Sequence, residues 1–214
     1  MATTYNVYLF DLRSFSVMLS PALEQLYSGN YRALRDIAYR VAKEHEDIWD
    51  VLEDYRFYPD DIGAEDTEFA TPEDRIKFWI MIVLTSCCVP LEIPSSYLKD
   101  MRAFLDEVGT ENALIDKITR GKPIAELFMT MVEPNEFALM KRNFWEYFGM
   151  VGWLDSSDIQ KALEYLSSLD DKYCFRINDD EFMNKERILA YQTAKRMFSK
   201  ANASSKGLFL SITD

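Results

Sequence analysis

Two short runs of β-forming residues, one near each end of the chain, constrain the fold more than anything between them. Tyr5-Asn6-Val7-Tyr8-Leu9-Phe10-Asp11-Leu12 is rich in aromatic and branched side chains, and so is Leu208-Phe209-Leu210-Ser211-Ile212. A lone strand leaves its backbone N–H and C=O groups unpaired, so each run needs a partner. Most of the intervening chain carries the three-and-four spacing of helices, which leaves the two ends to share one sheet. The expected fold is therefore α+β, mostly α: a helical domain with a small sheet formed by the N- and C-terminal strands. With no repeat period and no long flexible linker, residues 1–214 are expected to form a single domain.

Capping residues and breakers punctuate the helical part. Ser20-Pro21 reads as a cap followed by proline at the first helical position, with Gly29 closing that helix. Tyr31, Leu34, Ala38 and Val41 predict an amphipathic helix, continued by Ile48, Trp49, Leu52 and Tyr55 and followed by a polar loop over Asp60–Ala70. Thr71-Pro72-Glu73-Asp74 opens a helix through Trp79 and Leu84 that is apolar nearly all round and belongs in the core. Val89-Pro90 and Ile93-Pro94 force an extended connection, and Ser95 starts a helix closed by Gly109. Shorter helices are expected at 111–120, 123–132 and 136–148, then a turn over Gly149–Gly152. Asp155-Ser156-Ser157 caps a helix carrying Ile159, Leu163 and Leu166, and Asn178-Asp179-Asp180-Glu181 starts the last long one.

The chain has 36 acids against 24 bases, a net charge of −12. A surface that acidic is a poor ligand for phosphate backbones and is repelled by anionic membranes, so neither nucleic acid nor membrane is an expected partner. The longest uncharged run, Phe78–Leu91, holds 14 residues, whereas a bilayer span needs about 20. The opening MATTYNVYLFDL lacks the basic and apolar regions of a signal peptide, and a cytoplasmic location is expected. Cys87, Cys88 and Cys174 are an odd set, with two adjacent, which suits reduced thiols better than a disulfide framework.

Familiar catalytic signatures are missing. None of the seven glycines belongs to a phosphate-binding G-x-x-x-x-G-K-[ST], a G-x-G-x-x-G or a G-x-S-x-G. His45 is the one histidine; it cannot build a multi-histidine zinc site, and its neighbours Lys43, Glu44, Glu46 and Asp47 suit a solvated helix face. No cofactor is expected.

Charge is concentrated instead. Residues 44–68 hold Glu44, Glu46, Asp47, Asp50, Glu53, Asp54, Asp60, Asp61, Glu65, Asp66 and Glu68 against Arg56 alone, so this segment carries −10 of the −12. Glu46, Asp50, Glu53 and Asp54 fall at helical spacing, and like charges on one face cost a few tenths of a kcal/mol per pair. One reading is a docking surface for a basic partner, whose approach the field would steer. Another is an oxygen-ligand site for a divalent metal, although around Gly63 only Asp60 fits an EF-hand ligand position. A third is a carboxylate pair doing acid–base work on a small molecule. Solubility alone is the fourth.

The opposite pole lies between Arg176 and Lys206, with seven bases against four acids. Acids at a helix start and bases at its end are what the helix dipole favours, which accounts for this pattern without a ligand. Phe144, Trp145, Tyr147, Phe148 and Trp153 suit helix junctions, a pocket wall or a homo-oligomer interface.

At its two ends the chain resembles a group of small uncharacterised bacterial proteins. They open with a strand like Val7-Tyr8-Leu9-Phe10-Asp11-Leu12 and close with a Gly-Leu step and short strand like Gly207-Leu208-Phe209-Leu210. Similar acidic proteins include immunity proteins that neutralise the toxins of rival bacteria. The resemblance implies no catalytic residues. The leading expectation is a non-catalytic, immunity- or inhibitor-like protein. It would bind a basic protein through Glu46, Asp47, Asp50, Glu53, Asp54, Asp60, Asp61, Glu65 and Asp66. The alternative is a carboxylate-dependent enzyme acting on a small molecule, with or without a divalent metal.

Overall fold

A computed structural model describes residues 4–27, 30–44, 72–129, 131, 150–172 and 181–213. In chain order the elements are β1 (Thr4–Phe10), α1 (Leu12–Tyr27), α2 (Arg32–Glu44), α3 (Pro72–Ser86), β2 (Cys88–Leu91), α4 (Tyr97–Glu107), α5 (Asn112–Arg120), α6 (Ile124–Met129), β3 (Met150–Leu154), α7 (Ser156–Lys172), α8 (Glu181–Ala203) and β4 (Gly207–Thr213). The fold is mostly helical with one small sheet, as the two ends of the chain predict. The chain divides into two compact units: Met1–Phe10, Pro90–Ile124 and Gly149–Asp214 form the first, Asp11–Val89 and Ala125–Phe148 the second.

The first unit is built on the terminal strands. β1 and β4 pair antiparallel along their whole length, from Thr4 opposite Thr213 to Phe10 opposite Gly207. Because side chains alternate across a strand, Tyr5, Val7 and Leu9 share a face with their partners Leu210 and Leu208. That face packs with Tyr97, Met101 and Phe104 of α4, Ile115 and Ile118 of α5, Ile159 and Leu166 of α7, and Tyr191, Ala194 and Phe198 of α8. The full strand order is β2-β1-β4-β3.

Two expectations change here. The segment 149–152, read as a turn from its glycines, contributes Met150–Gly152 to strand β3, paired with β4 and bulged between Met150 and Gly152. Gly152 is present for close approach and not for turning: a Cβ there would overlap the carbonyl oxygens of Arg120 and Lys122. The extended connection after α3 does form, and it joins the sheet as the edge strand β2, where Pro90 is tolerated.

In the second unit, α3 runs through the middle of the core, with every residue from Trp79 to Leu84 buried. Leu34, Ala38 and Val41 of α2 and Phe15, Leu19 and Leu23 of α1 are buried as well, and Phe15 meets Phe128 edge-on with ring centroids 6.1 Å apart. Ser20 does not start a helix. The helix begins at Leu12, where Asp11 accepts the Ser14 N–H on its carboxylate at 2.9 Å and the Phe15 N–H on its carbonyl at 3.0 Å. Pro21 sits inside α1 and withholds the N–H that would reach the Val17 carbonyl. Both residues lie on the exposed side, Val17 at 69% exposure, so water can serve that carbonyl.

Cys87 is buried and Cys88 half-buried, neither in a disulfide among the described residues; Cys174 lies outside them. Among the described residues no helix is long and apolar enough to cross a membrane.

Candidate functional site

Glu46, Asp47, Asp50, Glu53, Asp54, Asp60, Asp61, Glu65 and Asp66 all lie outside the described residues. So do His45, the helix expected over Ile48–Tyr55, the loop Asp60–Ala70 and the aromatic run Phe144–Phe148. Glu44, the described end of the acidic segment, is exposed at the last position of α2.

The densest constellation of charged side chains among the described residues is in the first unit, where α5, β3 and the start of α7 meet. Gly121 ends α5 with φ +72°, a left-handed conformation that glycine adopts without steric cost. A Cβ there would also stand 2.7 Å from the Trp153 carbonyl oxygen. The turn delivers Lys122 alongside β3, where it exchanges two backbone hydrogen bonds with Trp153. The Lys122 N–H donates to the Trp153 carbonyl at 2.8 Å, and the Trp153 N–H donates to the Lys122 carbonyl at 2.9 Å.

The Lys122 side chain then folds over the Trp153 ring, its ammonium 4.0 Å from the ring centroid. There it meets two carboxylates, Asp155 Oδ2 at 2.6 Å and Asp158 Oδ2 at 2.7 Å. Lys117, from the last turn of α5, reaches Asp158 Oδ1 at 2.6 Å. Asp155 is also the N-cap of α7, accepting the Asp158 N–H on Oδ1 at 2.9 Å. Both acids thus sit at the positive end of the helix dipole as well as against lysines.

Burial sets the strength of this cluster. The Asp158 side chain is only 6% exposed, against 25% for Lys122 and 39% for Lys117. Burial alone would push the Asp158 carboxyl up; the two lysine contacts outweigh it and hold the group below the usual aspartate value. Burial likewise pulls the Lys122 ammonium down, and the bonds to Asp155 and Asp158 outweigh that, leaving it above the usual lysine value. A carboxylate held ionised is a poor general acid, and a lysine held as the ammonium is a poor nucleophile. The cluster is built to bind its own parts together.

A second buried polar group lies under the sheet. Tyr5 and Tyr97 stack with ring centroids 5.7 Å apart, and the Tyr5 hydroxyl donates to the Thr119 carbonyl at 2.6 Å. The Tyr97 hydroxyl, fully buried, has no hydrogen-bond partner, and neither has the Trp153 indole N–H. Burial pushes both phenols up, Tyr5 further by its proximity to Tyr97, so both remain protonated. On the surface, Arg102 and Asp116 pair at 2.7 Å, and the hydrogen bond from the guanidinium holds the Asp116 carboxyl below its usual value.

Among the described residues, no group of three or more His, Cys, Asp or Glu side chains is placed to hold a metal ion. Sequence spacing identified Asp155 as a cap but not its lysine partners. The signal available was two acids, three residues apart at a helix start, preceded by a Gly-Lys-Pro break 30-odd residues upstream. Such a pair calls for cations, without saying which.

No protein-family model, curated protein or solved structure matches this chain.

Proposed function

We propose that this chain is a non-catalytic interaction protein that presents residues 44–68 to a basic protein partner, in the manner of an immunity or inhibitor protein. The observation that carries the reading is the concentration of eleven acids against one base in that segment, while the remainder of the chain is close to charge balance. Such a field speeds encounter with a positively charged surface and penalises wrong partners more than it adds affinity. The chemistry of the charged cluster at the start of α7 is consistent with this reading, because its lysines and aspartates neutralise one another.

Capture from a lysate of the source cells tests it, at low and at physiological salt. The bait is the wild-type chain beside a variant carrying Asp50→Asn, Glu53→Gln, Asp54→Asn, Asp60→Asn and Asp61→Asn. A basic protein retained by the wild type and lost by the variant is the expected result. Equal recovery on both baits, or none on either at low salt, overturns the reading.

A further inference from the structure

Sheets expose unpaired backbone groups at their edges, and proteins cover or blunt them. In the order β2-β1-β4-β3, β2 and β3 are the edges. β2 carries Pro90 within its short span. β3 is covered differently: residues 120–122 lie directly against it, tightly enough that Gly152 has no room for a side chain.

The backbone hold of that cover is small. Lys122 and Trp153 form an isolated bridge, one residue pair with two hydrogen bonds, whereas β1 and β4 share seven residue pairs. The bridge cannot lengthen in either direction. The next residues that could bond to β3 are Arg120 and Ile124, and these are already committed as the end of α5 and the start of α6. What fastens the segment beyond that one pair is the Lys122 side chain, through the Trp153 ring, Asp155 and Asp158.

We propose that residues 120–123 are a releasable strap over the outer edge of β3, locked by Lys122 through its hydrogen bond to Asp155 and its ion pair with Asp158, and loosened by protonation of Asp158 while the rest of the sheet stays paired. The charged groups that face Asp158 are Lys117 from α5, Lys122 from the strap and Asp155 from its own first turn; β3 contributes the neutral Trp153 ring, and the effects of charge on Asp158 come from the two lysines alone. Protonation removes the charge that Lys117 and Lys122 share and leaves Lys122 held by Asp155 and the Trp153 ring alone.

The direction of the pH effect follows from the lysine contacts. They hold the Asp158 carboxyl below its usual value, so the lock is complete above the ordinary aspartate range and fails as pH falls through the lowered value. At the other end, the Lys122 ammonium lies above its usual value, so the lock persists through neutral and mildly alkaline pH. Opening would present the Trp153 N–H and carbonyl at a bare sheet edge, the geometry that accepts an added extended strand.

Amide hydrogen exchange on the whole chain, expressed as protection factors between pH 7 and pH 3, tests this. The Lys122 and Trp153 amides are expected to lose at least tenfold in protection while β1 and β4 amides change less than twofold. Asp158→Asn should show the low protection already at pH 7, with no further fall. Lys122→Met is the second variant, expected to expose the same two amides at pH 7 with β1 and β4 still protected. Loss of strap and β1–β4 protection together, or strap protection indifferent to both pH and Lys122→Met, overturns the proposal.

Discussion

Tyr5 and Tyr97 are stacked neighbours in one core, yet only one of their hydroxyls is satisfied. Burying a hydroxyl without a partner costs about 1–3 kcal/mol, whereas a made hydrogen bond contributes about 1 kcal/mol net. The two Tyr→Phe changes should therefore separate. Tyr97→Phe keeps the ring and removes an unpartnered polar atom, so stability should hold or rise by up to about 1 kcal/mol. Tyr5→Phe removes the donor to the Thr119 carbonyl and should lower stability by about 1–2 kcal/mol. Urea midpoints of the two variants measured side by side check the pair, and equal losses would contradict it. Nothing in the sequence distinguishes these tyrosines, because the difference lies in whether a carbonyl from another element comes within reach. The same holds for Lys117 and Lys122: the acids at the start of α7 are visible as a capping pattern, while the lysines that neutralise them are brought there by tertiary structure.

At the scale of elements, α1 shows where a local signal misleads. Ser-Pro is a good helix start in isolation, but Asp11 offers a better cap nine residues earlier, and Phe15, Leu19 and Leu23 bury one continuous stripe across the proline. Apolar burial of three such side chains, each about 1.5–3 kcal/mol, exceeds the roughly 3 kcal/mol that an interior proline costs. Pro21→Ala should restore the hydrogen bond to Val17 and stabilise the protein by about 1–2 kcal/mol, the full helix gain being reduced by about 1 kcal/mol of extra freedom in the unfolded chain. Thermal melting of the variant measures this, and a lowered midpoint would mean that the proline shapes the helix in a way the core requires. By contrast β1, β4 and α3 were legible because their patterns extend over whole elements: alternation in the strands, and an apolar run in the helix that fits only a core. β3 was not legible, since glycine at position 152 signals a turn as readily as a crowded strand.

For the whole molecule the governing quantity is charge. The acids of residues 44–68 are legible from composition alone, yet their partner is not, because a field has a sign and a range but no shape. Neutralising Asp50, Glu53, Asp54, Asp60 and Asp61 removes five of the 36 acids and brings the net charge from −12 to −7. Relief of like-charge repulsion, a few tenths of a kcal/mol per pair, should raise the melting temperature in dilute buffer and leave it unchanged in 0.5 M salt, where the screening length is about 4 Å. A fall in either buffer would show that these acids hold structure and would spoil the variant as a binding control. The pairing of β1 with β4 carries a different implication, one of timing. Thr4 has no strand beside it on the β4 side until Thr213 has been made, so the sheet centre can pair only after all the intervening helices have been synthesised. At ~5–20 residues per second, β1 leaves the ribosome roughly ten to forty seconds before its neighbour. Through that interval, a strand with Val7, Leu9 and Phe10 destined for the core waits without its β4 partner, while α1, α2 and α3 emerge and can pack with one another. The apolar face of β1 therefore depends on some other cover until β4 has been made.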